Sequence, residues 1–170
     1  LDARILMQQP IVISGAGILG CYISCALSLQ GIDSIVLEKK GDEVEDSVRT
    51  ITLNPFSKNL LDKIGVENDY SMINKMEVKD FDGTGKIVFK SSEIGMDHLA
   101  YVSDFATLLI AVRKKASEKI LYKEEIIDID NKGKLNEVTL SSGKVIKTNL
   151  IISSDGKNSK LANKIPKSDK

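Results

Sequence analysis

Short apolar runs alternate with polar segments along the chain, and the first two runs lie on either side of a segment with helical periodicity. Ile11-Val12-Ile13-Ser14 and Ser34-Ile35-Val36-Leu37 are two such runs. Short apolar runs of this kind are typical of strands buried on both faces of a parallel sheet. Between them, apolar residues recur with helical spacing at Leu19, Tyr22, Ile23, Ala26 and Leu29. Gly31 ends that helix as a C′ glycine, so the chain begins as strand, helix and strand.

The rest of the chain predicts two more helices and a series of short strands. Asn54 is expected to cap a helix with Pro55 in its first turn and Gly65 at its end. Ser103 or Asp104 caps a third helix, which has an apolar face and runs through residue 116. Strands are predicted at residues 47–53, 72–81, 86–89, 99–102, 120–122, 125–129, 135–140, 144–147 and 150–153. Together these elements predict an α/β, Rossmann-like domain, in which a parallel sheet carries an inserted three-stranded antiparallel meander.

A glycine motif joins the first strand to the first helix and indicates nucleotide binding. Gly15-Ala16-Gly17-Ile18-Leu19-Gly20 is followed by Glu38 at the end of the second strand. This spacing, with an acid about 20 residues on, is the fingerprint of a dinucleotide-binding unit. Gly15 permits the tight turn, Gly17 lets the backbone approach a pyrophosphate, and Gly20 lets the helix lie close to the strand. The alternative is an ordinary glycine-rich turn of an α/β protein.

The carboxylate of Glu38 can accept hydrogen bonds from ribose hydroxyls, and its charge disfavours a cofactor that carries a 2′-phosphate. The candidate cofactor-binding residues in this first part of the chain are Gly15, Ala16, Gly17, Leu19, Gly20, Glu38 and Lys39.

Composition narrows the classes of function. The 170 residues include 24 Lys and Arg against 24 Asp and Glu, so bulk charge gives no reason to expect a nucleic-acid partner. No apolar run approaches the roughly 20 residues that a membrane span needs. Cys21 and Cys25 are predicted to be small buried hydrophobes, and with His98 as the one histidine no metal site is expected. The lack of a disulfide pattern favours the cytoplasm.

Three stretches of the chain together carry a family resemblance. The first is the glycine motif with Glu38, and the second is Arg49–Asn54 with the helix that ends in Leu60–Val66. The third is Ser154–Lys160, which contains an Asp-Gly pair, and together the three cover essentially the whole chain. They resemble the FAD-dependent aromatic hydroxylases of the para-hydroxybenzoate hydroxylase superfamily, in which Ser154–Lys160 is similar to the Asp-Gly motif. Within that superfamily they are most similar to the ubiquinone-biosynthesis hydroxylases, the group that includes the 2-octaprenyl-6-methoxyphenol hydroxylases.

The resemblance implies three further FAD-binding residues and no catalytic side chain. Arg49 would approach the FAD as a fixed cation; the alternative is a surface arginine that pairs with the acidic loop 43–46. Asp155 and Gly156 would stand at the carboxyl end of the last strand beside the cofactor, and the alternative is a simple Asp-Gly turn. The hydroxylation chemistry of such enzymes belongs to the flavin, so neither a nucleophile nor a metal is required.

The sequence also departs from the family pattern. Ser153-Ser154 stands where the family has Gly-Ala, Lys160 stands where it has arginine, and residues 103–106 lack the arginine found at that helix start. The family's later Gly-Asp motif, which contacts the ribitol, has no counterpart. Residues 1–170 are therefore expected to be a truncated FAD-binding domain without the substrate-binding domain, which would leave an apolar face exposed and favour homo-oligomers.

The resemblance implies an FAD-dependent monooxygenase that uses NAD(P)H to hydroxylate a polyprenylated phenol in ubiquinone biosynthesis. Two alternatives stay open: a truncated or decayed FAD- or ADP-binding fragment without activity, and another flavin oxidoreductase. The expected partner is a small aromatic substrate rather than nucleic acid. For a lipid-like substrate, a cytoplasmic enzyme peripheral to the inner membrane, or one held in a multi-enzyme assembly, would be suitable.

Overall fold

The computed structural model describes residues 9–45, 48–131, 134–156, 159 and 161, and the chain divides into two compact units. Residues 1–44 and 112–170 form the first unit, and residues 45–111 form the second. Five positions within stretches discussed above lie outside the described residues: Asp46, Ser47, Lys157, Asn158 and Lys160.

The described residues contain three α-helices and twelve strands. The helices are α1 (Ile18–Leu29), α2 (Pro55–Lys63) and α3 (Phe105–Lys115). The strands are β1 (Ile11–Ser14), β2 (Ser34–Glu38), β3 (Thr50–Leu53), β4 (Ser71–Ile73), β5 (Lys75–Lys79), β6 (Lys86–Lys90), β7 (Ala100–Asp104), β8 (Ile120–Tyr122), β9 (Ile126–Asp130), β10 (Asn136–Leu140), β11 (Val145–Thr148) and β12 (Ile151–Ser153). None of the described helices is both long and apolar enough to cross a membrane.

A four-stranded parallel sheet forms the centre of the first unit, with the order β12-β1-β2-β8. Ile13 of β1 lies between Ile152 of β12 and Val36 of β2. Both Val12 and Ile13 are fully buried although their side chains point to opposite faces, which explains the uninterrupted apolar run. The predicted parallel α/β core is confirmed.

Each face of this sheet is covered by a different layer. Strands β9, β10 and β11 form the three-stranded antiparallel meander that the sequence predicts, and it lies between β8 and β12 in the chain. Val138, Leu140 and Ile146 of the meander pack with Val12 and Leu37 of the parallel sheet in one buried cluster. Helix α1 lies against the other face, where the Ser24 and Ser34 hydroxyls are 2.8 Å apart in a buried hydrogen bond.

The second unit contains a three-stranded antiparallel sheet, β3-β7-β4, and a separate two-stranded hairpin, β5-β6. The prediction of one strand over residues 72–81 is therefore wrong. The segment breaks at Asn74, because β4 pairs with β7 whereas β5 pairs with β6. The Asn74 carbonyl instead accepts a hydrogen bond from the Ser91 amide at 2.9 Å, which fixes the break between the two strands.

Side-chain caps set the starts of α2 and α3, as the sequence indicates. The Asn54 Oδ1 accepts a 2.7 Å hydrogen bond from the Ser57 amide, and Pro55 is in the first turn. For α3 the capping residue is Asp104, whose Oδ1 accepts from the Thr107 amide at 2.7 Å. Such caps satisfy amides that have no partner within the helix.

Candidate cofactor-binding site

The carboxyl ends of three parallel strands meet the amino end of α1 at one edge of the first unit. The Gly15 amide donates to the Leu37 carbonyl at 2.8 Å, and the Ser154 amide donates to the Ser14 carbonyl at 2.8 Å. These bonds hold the turns after β1, β2 and β12 together around a cleft of about 300 Å³. Among the predicted cofactor-binding residues, six line this cleft: Gly15, Gly17, Glu38, Lys39, Asp155 and Gly156.

Two of the motif glycines are required by packing within the protein. A Cβ at Gly20 would overlap the Gly15 carbonyl oxygen and would lie 2.6 Å from the Ser154 Oγ. Gly15 has φ +99°, and a Cβ there would lie 2.8 Å from the Ser154 carbonyl oxygen. The first glycine therefore permits the turn and the third permits the close approach of helix to strand, as the motif predicts.

Gly17 differs from Gly15 and Gly20, because neither its backbone conformation nor its protein neighbours require a glycine. Its φ of −74° and ψ of 178° are open to any residue, and a Cβ added there would meet nothing within 4 Å. Protein packing does not explain this glycine, whereas close approach of a ligand would. Gly17 is also the N-cap of α1 and supplies no side-chain cap. The amides and the positive dipole end of the helix therefore suit an anion such as a pyrophosphate.

The other motif positions provide backbone rather than side-chain groups. Ala16 is fully buried, whereas the Leu19 side chain is largely exposed. Lys39 is exposed and follows Glu38 at the rim of the cleft.

The carboxylate of Glu38 is held from several directions at the end of β2. Its Oε2 accepts from the Ala16 amide at 3.1 Å and from Arg113 Nη2 at 3.4 Å, and its Oε1 accepts from the Lys40 amide at 3.0 Å. An ionised carboxylate offers about four lone-pair sites, so these three bonds leave it able to accept another. Glu38 can therefore receive a ribose hydroxyl without giving up its protein partners.

Arg113 is a member of the site that the sequence reasoning missed. Its Nε donates to the Ala16 carbonyl at 2.9 Å, and its Nη1 donates to the Asp42 carbonyl at 3.4 Å. The family comparison directs attention to the start of this helix, whereas Arg113 lies in its last turn. One feature of the sequence could have indicated it: Arg113 follows Leu109 by four residues, so a charged side chain lies on the predicted apolar face of the helix.

The segment after β12 is fixed to the glycine turn. The Ser154 hydroxyl is shared between the Ser14 carbonyl at 2.8 Å and the Gly15 carbonyl at 3.0 Å. The carboxylate of Asp155 accepts from the hydroxyls of Ser153 at 2.6 Å and Ser159 at 3.1 Å. Ser154, which stands where the family has alanine, therefore adds a shared side-chain hydrogen bond to the glycine turn.

Arg49 lies in the second unit, where its guanidinium carbon is 4.3 Å from the centre of the Phe105 ring. Its carbonyl accepts from the Phe105 amide at 2.9 Å. A cation over an aromatic ring is a favourable contact by itself. A role for Arg49 at the cofactor stays a prediction.

The two cysteines of α1 have no features of a reactive site. Burial raises the pKa of Cys21 to about 12, although the nearby Arg113 cation acts in the opposite direction. Burial also raises the pKa of the half-buried Cys25. Both are therefore neutral thiols at physiological pH, which matches their prediction as small hydrophobes. Within the described residues, no group of His, Cys, Asp or Glu could hold a metal ion.

These features fit the adenosine diphosphate part of FAD. The open space at Gly17 and the uncapped start of α1 suit the pyrophosphate, and the fixed carboxylate of Glu38 suits the ribose. With the antiparallel meander packed behind the parallel sheet, fold and site define an α/β FAD-binding protein. The sequence model of the FAD binding domain family matches residues 8–169, and the chain belongs to that family.

The chain is also similar to three proteins of known identity. The mitochondrial ubiquinone biosynthesis monooxygenase COQ6 of Danio rerio is 27% identical over 177 aligned residues, which cover 88% of this chain and 36% of that relative. PqsL of Pseudomonas aeruginosa is 18% identical with a TM-score of 0.78, over 94% of this chain and 46% of that one. The p-nitrophenol 4-monooxygenase PnpA of Pseudomonas putida is 15% identical with a TM-score of 0.75, over 92% and 43%.

The TM-scores show that the two solved structures share the fold of this chain. Because their sequence identity to it is low, the likeness is one of fold alone. The chain spans less than half the length of each of these proteins.

Proposed function

We propose that this chain binds FAD through its adenosine diphosphate part, in the cleft at the ends of β1, β2 and β12. The observation that carries this proposal is the contrast among the motif glycines. Packing explains Gly15 and Gly20, whereas Gly17 faces open space. The start of α1 would hold the pyrophosphate, and Glu38 would accept a ribose hydroxyl. Asp155 and Gly156 at the rim of the cleft, and Arg49, are proposed as further contacts.

For the whole protein we propose an FAD-dependent monooxygenase that hydroxylates a polyprenylated phenol in ubiquinone biosynthesis. Support comes from the family of the chain and from the relative named as a ubiquinone biosynthesis monooxygenase. Bound FAD would supply the redox chemistry that links NAD(P)H oxidation to hydroxylation by O₂. The residues of this chain would bind and orient the coenzyme. A small aromatic substrate, a homo-oligomer and a peripheral position at a membrane belong to the same proposal.

Binding is tested by titrating the purified chain with FAD, ADP and FMN in a calorimeter. FAD and ADP are expected to bind and FMN is not, because FMN lacks the adenosine half. Glu38→Gln should weaken ADP binding by roughly 10-fold or more, since hydrogen bonds to charged groups contribute about 1.5–3 kcal/mol. Equal affinity for FMN and FAD, or an unchanged affinity in the variant, would contradict this site.

Activity is tested on the FAD-loaded protein with NADH or NADPH and a panel of prenylated phenols. Oxygen uptake coupled to a hydroxylated product, identified by mass spectrometry, is the expected result. FAD binding with no hydroxylated product would favour the alternative of an FAD-binding fragment without activity. Reduction of the flavin without oxygen insertion would favour another flavin oxidoreductase.

A further inference from the structure

Arg113 connects the two parts of the cleft that the proposed function uses. Its Nε holds the Ala16 carbonyl at 2.9 Å, in the glycine turn, and its Nη2 lies 3.4 Å from the Glu38 Oε2, at the end of β2. The Ala16 amide donates to that same Glu38 oxygen at 3.1 Å. Arginine, turn and carboxylate thus form a closed ring of hydrogen bonds.

We propose that Arg113 is a positioning residue that makes the site selective for the 2′-hydroxyl of an adenine nucleotide, because it holds the Glu38 carboxylate in place. This inference rests on the proposed function, since it concerns the nucleotide that the cleft binds. It adds a residue that neither the glycine motif nor the acid at the end of β2 specifies.

Burial makes this ion pair more consequential than one on the surface. The side chains of Arg113 and Glu38 are each only 12% exposed. A pair shielded from water in this way is screened little by salt, and removing one partner leaves the other charge poorly solvated. Without Arg113, turning toward solvent would lower the free energy of the Glu38 carboxylate, because water would then solvate its charge.

Further contacts fix the guanidinium itself. Its Nη1 donates to the Asp42 carbonyl at 3.4 Å, and its central carbon lies 5.7 Å from the centre of the Tyr122 ring. The planar fork of arginine can serve several acceptors at once, which a lysine ammonium on a flexible stem does less well. Because these contacts fix the guanidinium, the guanidinium in turn fixes the orientation of the Glu38 carboxylate that it binds.

A fixed carboxylate discriminates between nucleotides better than a mobile one. A ribose hydroxyl would find an acceptor already oriented, so little ordering is needed on binding. A nucleotide without the 2′-hydroxyl would leave that acceptor without its donor. A carboxylate that has turned toward solvent would lose this preference while the pyrophosphate site at α1 remained intact.

The test compares Arg113→Met with Lys114→Met, which removes the same charge from the exposed neighbouring position of the helix. Calorimetry gives the dissociation constants of ADP and 2′-deoxy-ADP for each protein. The parent and Lys114→Met should prefer ADP by roughly 10-fold, as expected for a hydrogen bond to a charged group. In Arg113→Met this preference should fall to within about twofold, and Arg113→Lys should restore part of it.

A second readout needs no ligand. The amides of Ala16 and Lys40 both donate to Glu38, so their NMR shifts report the position of its carboxylate. Arg113→Met should move both amide resonances in the direction seen in Glu38→Gln, and Lys114→Met should move neither. Circular dichroism establishes that each variant is folded; Arg113→Lys provides the same comparison if Arg113→Met is not.

Two results would overturn the inference. One is an equal loss of affinity for both nucleotides in Arg113→Met with the preference for ADP retained, which would indicate a general structural role. The other is unchanged Ala16 and Lys40 resonances. Failure of the proposed function looks different: the parent chain would bind neither nucleotide, whatever the amide resonances of the variants show.

Discussion

The parallel sheet and the β5–β6 hairpin are built from similar apolar residues but differ in what covers them. Val12 of β1 is 0% exposed, because the meander packs on that face of the sheet. Val78 of the hairpin is 55% exposed and lies on the same face as Met76, Ile87 and Phe89. The comparison shows that an apolar strand face specifies a core only where a second layer is present.

The other face of the hairpin is mostly charged, with Val88 opposite Glu77, and carries a network of ion pairs. Glu77 lies 3.0 Å from the Lys86 Nζ and 3.2 Å from the Lys79 Nζ, and these lysines hold the pKa of its carboxyl below the usual value. Exposed pairs of this kind contribute little to stability. The hairpin therefore depends on backbone pairing and cross-strand contacts, whereas the parallel sheet depends on burial.

The largest effect on folding is expected at the glycine turn, where packing is tightest. Gly20→Ala should lower the free energy of unfolding by about 3 kcal/mol or more, because the added methyl group would overlap the Gly15 carbonyl and force α1 from the strand. Urea denaturation followed by circular dichroism measures the change. Gly17→Ala is the matched control, and equal stability of the two variants would show that α1 does not pack as described.

A matched pair of valines tests the comparison directly. Val12→Ala should lower the free energy of unfolding by roughly 2 kcal/mol, through lost burial and the cavity left behind. Val78→Ala removes the same atoms from an exposed strand and should change it by less than about 0.5 kcal/mol. Both values come from the same denaturation experiment. Similar losses at the two positions would mean that the hairpin face is covered in solution.

Much of the first unit could be predicted from local sequence. The runs around Val12 and Val36, the glycine spacing and Glu38 specify strand, turn, helix and strand, and the structure has them in that order. Local pattern could not reveal that residues 72–81 divide between two partner strands, because strand pairing is a long-range choice. Arg113 was missed for the same reason: its partners Ala16 and Glu38 are remote in sequence.

The next prediction separates the ligand site from the packing around it. Gly17→Ala should leave the free energy of unfolding nearly unchanged, since its Cβ would meet nothing within 4 Å. The same methyl group would occupy the space proposed for the pyrophosphate, so the affinity for ADP should fall by about 10-fold or more. Calorimetry and denaturation on one sample give both values. Undiminished ADP affinity would show that the ligand does not approach the backbone here.

Polar substitution of the hairpin face is also expected to have only a small effect on stability. Ile87→Thr combined with Phe89→Thr places β-branched threonines, which suit strands, at both positions, so the free energy of unfolding should change by no more than about 1 kcal/mol. If this apolar face mediates the proposed homo-oligomer, the molar mass from light scattering should fall toward that of one chain. Lys86→Thr, on the opposite face, is the control and should leave the mass unchanged. A parent chain that is already monomeric would argue against self-association through the hairpin. Its exposed valine, isoleucine and phenylalanine would then differ from the buried strands only in lacking a covering layer.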